Sequence, residues 1–91
     1  MPSNAELGCA VRRLRRARKL TIETLAFAAD MHPTYLSGIE RGRRNSTWDK
    51  ITNLARALKI SVGQLVESAE EEAEVARVSR DTRMRIQAER S

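Results

Sequence analysis

Side chains that catalyse, ligate or sense are scarce in this chain, whereas side chains that hold anions are abundant. There is one cysteine, Cys9, and one histidine, His32. A lone thiol cannot close an internal disulfide, and one Cys with one His falls short of any four-ligand zinc set. Scattered surface carboxylates do not supply the convergent base, nucleophile or metal that catalysis needs, and no glycine-rich loop is present to cradle a phosphate. These absences argue against an enzyme, a metal centre and a bound cofactor. Cationic groups, by contrast, number 17 Lys plus Arg against 12 Asp plus Glu, a net charge of +5 in 91 residues. That excess favours polyanionic partners, nucleic acid first among them. It is also concentrated: residues 1–66 carry 12 bases and 5 acids, +7, and residues 67–91 carry 5 bases and 7 acids, −2. With only Phe27, Tyr35 and Trp48 aromatic, base stacking cannot be the main means of recognition.

Positioning such cations requires a scaffold, and the apolar spacing supplies it. Leu7, Val11 and Leu14, then Leu25, Ala26 and Ala29, then Leu36 and Ile39, then Ile51, Leu54, Ala55 and Leu58 recur at three and four. Start signals interrupt the pattern at Thr21, at His32 before Pro33, at Thr47, and at Ser61 with Gln64 as a capping box. Leu20 with Leu25, Met31 with Leu36, and Ile60 with Leu65 are spaced as hydrophobic staples. The reading is five short helices, residues 5–18, 22–29, 33–41, 48–58 and 62–67, with no strand. Gly42 and Asp30 fall where a left-handed residue ends a helix. A turn of about three residues joins the second and third helices and makes them cross steeply, a helix-turn-helix. The boundary between a domain over residues 1–67 and a charged extension over 68–91 is placed near Ser68. The extension lacks Pro and Gly and aligns Val75, Val78, Thr82 and Ile86 on one stripe, so it is expected to be helical.

The successions LGCAVRRLRRARKLTIETLA, MHPTYLSGIERGRRN and TWDKITNLARALKISVGQL resemble, in order and spacing, the phage-repressor-like (xenobiotic-response-element) family of bacterial helix-turn-helix transcription regulators. The likeness spans about residues 6–67, and TYLSGIERGRRN is similar to the controller proteins of restriction-modification systems. It implies an all-α, five-helix lambda-repressor-like domain, acting in the bacterial cytoplasm as a homodimer on double-stranded DNA. The 33–41 helix would enter the major groove of a pseudo-palindromic operator with half-sites roughly 10 bp, or a multiple, apart. Pro33, Thr34, Ser37 and Gly38 then occupy base-facing positions, of which only Thr34 and Ser37 carry a hydrogen-bonding side chain. Arg44 matches a position from which the controller proteins send an arginine to the DNA, and Tyr35 one from which a hydroxyl holds the backbone. The helix amino ends at Thr21, Ile22, Thr47 and Trp48, with Arg43, Asn45 and Lys50 beside them, are expected at phosphates. The resemblance further pairs Arg15 with Glu40 in a partly buried ion pair, and assigns dimer contacts to Val62, Leu65, Val66 and Ala69. Ile22 and Lys19 stand where the family usually has glutamine and glycine.

Other residues have plainer expectations. The run Arg12, Arg13, Arg15, Arg16, Arg18 spreads around a helix, so apart from Arg15 it is expected to be solvated or to steer approach. Trp48 is also read as a core anchor beneath the fourth helix, His32 as a weak N-cap, and Cys9 as an ordinary thiol. Phe27 points about 140° from Ile22, away from the apolar side of its helix, and is expected beneath the C-terminal segment or a second subunit. No apolar run approaches the roughly 20 residues of a membrane span. A different class remains open on these residues: an interaction module, an antitoxin or adaptor, whose C-terminal segment wraps a partner protein.

Overall fold

The computed structural model describes the backbone of residues 2–90 and the side chains of residues 2–85. Its helices are α1 (Asn4–Ala17), α2 (Ile22–Ala28), α3 (Pro33–Glu40), α4 (Trp48–Ala57) and α5 (Val62–Arg90), and no strand occurs among the described residues. Every start is set by a local side chain. Ser3, Thr21 and Thr47 accept from the N–H groups of Glu6, Thr24 and Lys50, and His32 Nδ1 accepts from Thr34 N–H ahead of Pro33. Ser61 and Gln64 form the reciprocal capping box, Gln64 N–H donating to Ser61 Oγ and Ser61 N–H to Gln64 Oε1.

The ends of α1 to α4 share one device. Lys19, Asp30, Gly42 and Lys59 have φ of 56°, 57°, 74° and 60°, and each, with the residue after it, donates back to two carbonyls of the last turn. Leu20, Met31 and Ile60 follow three of these turns and pack onto the core as the staple spacing predicts. Lysine at two of the four left-handed positions is a standing cost, because a Cβ crowds the backbone there.

The core is one cluster drawn from all five helices. Leu25, Leu36, Ile39, Leu54, Leu58, Leu65 and Val11 are its largest sealed side chains. Gly8 lets α1 approach the end of α3 so closely that a Cβ there would lie 2.2 Å from the Ile39 carbonyl oxygen. Arg15 crosses the same interface: its Nε and Nη2 donate to Glu40 Oε2 and Oε1 at 2.7 and 3.0 Å, and Nη1 donates to the Leu20 carbonyl at 2.9 Å. Hydrogen bonding to Glu40, opposed by burial and aided by the Glu40 and Glu23 charges, raises the Arg15 pKa, so the guanidinium stays charged.

The extension is not a separate sixth helix. α5 runs unbroken from Val62 past Ser68 to Arg90, and its 29 residues make a rod of roughly 43 Å. The rod accounts for a radius of gyration of 15.0 Å, against about 12 Å for a compact chain of this length. Its last core residue is Ala69, and Arg13 Nε on α1 fixes the next turn by donating to Glu72 at 2.7 Å. Val75, Val78 and Met84 lie exposed beyond it, and the Ile86 side chain lies outside the described residues.

Three expectations require correction. Leu65 and Ala69 are wholly buried, so they cannot make dimer contacts. They form the inward stripe of α5, leaving Val62 and Val66 half-buried at its side. Trp48 is 69% exposed and anchors no core, because it sits in the first turn of α4 ahead of the layer formed by Ile51, Leu54 and Leu58. Phe27 is 88% exposed in the chain: α5 lies along α1 and does not cover it, which removes the C-terminal segment and leaves a second subunit as its expected cover.

Candidate nucleic-acid interface

Pro33 and Thr34 open α3 just after the four-residue turn from α2, and Ser37 and Gly38 follow one helical turn later. One shallow groove is lined by these four residues, by Ile22 and Glu23 at the start of α2, and by Arg41, Arg43 and Arg44 at the end of α3. The structure thus brings together all the base-contact expectations, Pro33, Thr34, Ser37 and Arg44, with Ile22 and Arg43 from the backbone set. Thr34, Arg43 and Arg44 are exposed.

Gly38 proves more than a position lacking a reading group. A Cβ on it would lie 2.6 Å from Arg44 Cγ, so the Arg44 stem lies across α3 in the space the glycine leaves. Arg43 N–H donates to the Gly38 carbonyl at 2.9 Å and starts the loop that turns Arg44 back over the helix. Sequence reasoning found the arginine by resemblance but not its seat; a glycine one turn before an arginine-bearing loop was the available signal.

Tyr35 serves that loop. Its hydroxyl, expected free for a phosphate, donates to the Asn45 carbonyl at 2.9 Å, while Arg44 Cζ and Lys50 Nζ stand 6.0 and 5.7 Å from the ring centroid. The ring therefore holds two cations beside the groove, at the outer limit of cation–π range for Arg44. The Asn45 side chain is engaged as well, its Oδ1 accepting from Asn4 Nδ2.

Thr21, Thr47, Trp48 and Lys50 lie outside the groove lining. Thr21 and Thr47 are exposed caps of α2 and α4, and Trp48 projects into solvent at the amino end of α4. Arg41 and Glu23, which sequence reading did not assign to the interface, belong to the groove, and Glu23 is its one acid. No group of three or more His, Cys, Asp or Glu able to hold a metal occurs among the described residues. None of the described helices is long and apolar enough to cross a membrane.

Chemically, the groove offers two hydroxyls, three guanidinium groups and a helix of a width the DNA major groove admits. Comparison with known proteins agrees with that geometry. A helix-turn-helix domain family matches residues 6–69. The control protein C.BamHI of Bacillus amyloliquefaciens is 39% identical over 70 residues, covering 74% of this chain and 86% of that protein. The crystal structure of the clp gene regulator ClgR from Corynebacterium glutamicum has a TM-score of 0.89 at 27% identity, over 94% of this chain and 92% of that one. The restriction-modification controller protein C.Esp1396I, solved as a tetramer with its natural 35-base-pair operator, has a TM-score of 0.71 at 28% identity, over 76% and 91% of the two chains.

Proposed function

The chain belongs to the helix-turn-helix family of DNA-binding transcription regulators, and from that premise we propose how it reads DNA and in what assembly. α3 lies in the major groove of double-stranded DNA, with Thr34 and Ser37 toward base edges and Pro33 against them. Arg44 is the principal reader. A bidentate arginine on guanine discriminates by roughly 1 to 3 kcal/mol, which neither hydroxyl matches. The observation that carries this assignment is the Gly38 gap, which seats the Arg44 stem on the outward face of α3.

Thr21, Ile22, Arg43, Asn45, Thr47, Trp48 and Lys50 hold the backbone, chiefly through helix-terminal N–H groups and cationic side chains. Tyr35 fixes the loop from which Arg44 acts. The protein works as a cytoplasmic homodimer without catalytic activity, on an operator of two related half-sites. Val62 and Val66, half-buried beside the core stripe of α5, are the dimer contacts retained. Residues 1–67 form the reading domain and 68–91 a helical extension of it.

The experiment is a pair of substitutions scored by binding-site selection and by affinity. Arg44→Ala should relax base preference at one position per half-site, whereas Arg43→Ala should weaken all sequences alike. Retention of the parent motif by Arg44→Ala would refute its assigned role.

A further inference from the structure

The helical spread of the α1 arginines predicts solvated side chains, but the folded chain sets two of them beside α3. Arg12, Arg16 and Arg41 border a second concavity, floored by Arg15 and Glu40, that shares Ile22, Ser37 and Arg41 with the reading groove. All three are exposed, and none forms an ion pair within 4.0 Å among the described residues. Their neighbours are spent: Arg15 is paired with Glu40, and Arg13, round the helix, with Glu72. The concavity therefore carries three cations without an ion-pair partner; the acid in its lining, Glu40, is taken by Arg15, and Glu23 lines the adjoining groove. Ile22, between the two depressions, has no polar side chain, so the positive charge facing an anion there comes from the guanidinium groups. Arg12 and Arg16 are also like charges four apart, which weakens an isolated helix and is relieved when a polyanion lies across both.

The geometry points to a second phosphate-holding site on α1, in which Arg12 and Arg16, with Arg41, grip the DNA backbone flanking the base pairs that α3 reads. This rests on the DNA-reading role of the groove and extends it, because the same duplex must pass both depressions. Arginine suits such a site because its planar fork takes phosphate oxygens two at a time and stays charged. The site adds affinity and salt sensitivity, not base preference.

The test is fluorescence anisotropy on a labelled mixed-sequence duplex of about three helical turns, roughly 30 bp, titrated over a salt series. Glutamine favours helices and both positions are exposed, so Arg12→Gln/Arg16→Gln should fold, which circular dichroism checks. Each lost phosphate contact removes about 0.9 from the slope of log K against log salt, so the double variant should lose about 1.8 per subunit. Arg12→Lys/Arg16→Lys, which keeps the charges, should retain the parent slope, as should Arg80→Gln/Arg83→Gln on the exposed part of α5. A parent-like slope in Arg12→Gln/Arg16→Gln, or an equal loss in the α5 variant, overturns the proposal while the DNA-reading role stands. A parent chain with no affinity for the duplex overturns both.

Discussion

Replacing Glu40 with alanine should unfold this protein far more readily than its position near the interface suggests. The substitution removes both Arg15–Glu40 hydrogen bonds, at 2.7 and 3.0 Å, and leaves the guanidinium of Arg15, a residue 9% exposed in the parent, with only the Leu20 carbonyl as acceptor. Stranding a buried charge in this way costs about 3 to 5 kcal/mol. At ~0.05 to 0.15 kcal/mol per residue, a chain of this length has only about 5 to 14 kcal/mol to lose. The midpoint of thermal unfolding should therefore fall by at least ~12 °C, at about 4 °C or more per kcal/mol. Because the cost lies in the unpaired charge, Arg15→Met/Glu40→Leu should stay within about 1 kcal/mol of the parent. The Arg15 pKa is raised in the folded state, so its contribution is full at every pH below its unfolded value and is lost only as pH rises through the folded one. Through the neutral range, no pH dependence should come from this group. Urea and thermal unfolding of Glu40→Ala and of the double variant measure all of this. A loss below about 1 kcal/mol for Glu40→Ala, the size of an exposed pair, would refute the reasoning.

Three further outcomes follow from close contacts and strained turns. Gly8→Ala gains about 1 kcal/mol of helix propensity but drives a methyl to 2.2 Å from the Ile39 carbonyl oxygen, so chemical unfolding should show a net loss of about 1 to 3 kcal/mol. Lys19→Gly relieves a left-handed residue at φ 56° and should stabilise by about 1 kcal/mol, read as a midpoint raised by roughly 4 to 8 °C. Gly38→Ala should leave the fold intact, since the atom it meets belongs to a movable side chain, yet displace Arg44 and relax the selected motif as Arg44→Ala does. An unchanged motif in Gly38→Ala would separate the two residues.

Much of the scaffold was legible because its signals are local. Thr21, Thr47 and the Ser61–Gln64 box act on N–H groups three residues away, so sequence spacing alone locates them. The Arg15–Glu40 pair is a different case: it joins residues 25 apart and was reached only through resemblance. What stayed hidden depends on neighbours distant in sequence. Periodicity groups Leu65 and Ala69 with Val62 and Val66 but does not say which pair meets α1. Trp48 has the phase of a core residue, yet its helix starts before the core begins. The two α1 arginines gain their setting only when α3 ends beside them, and the seat of Arg44 depends on a side chain that Gly38 lacks.

DNA recognition by this chain rests on the outward face of α3 reading base edges from the major groove. Selection from random-sequence DNA followed by guanine N7 methylation interference tests it most directly, because that methyl group projects into the major groove alone. The expected outcome is an enriched motif of two related half-sites about one helical turn apart, with methylation blocking binding inside each. A pool that never enriches, or a motif indifferent to N7 methylation at every guanine, would contradict it.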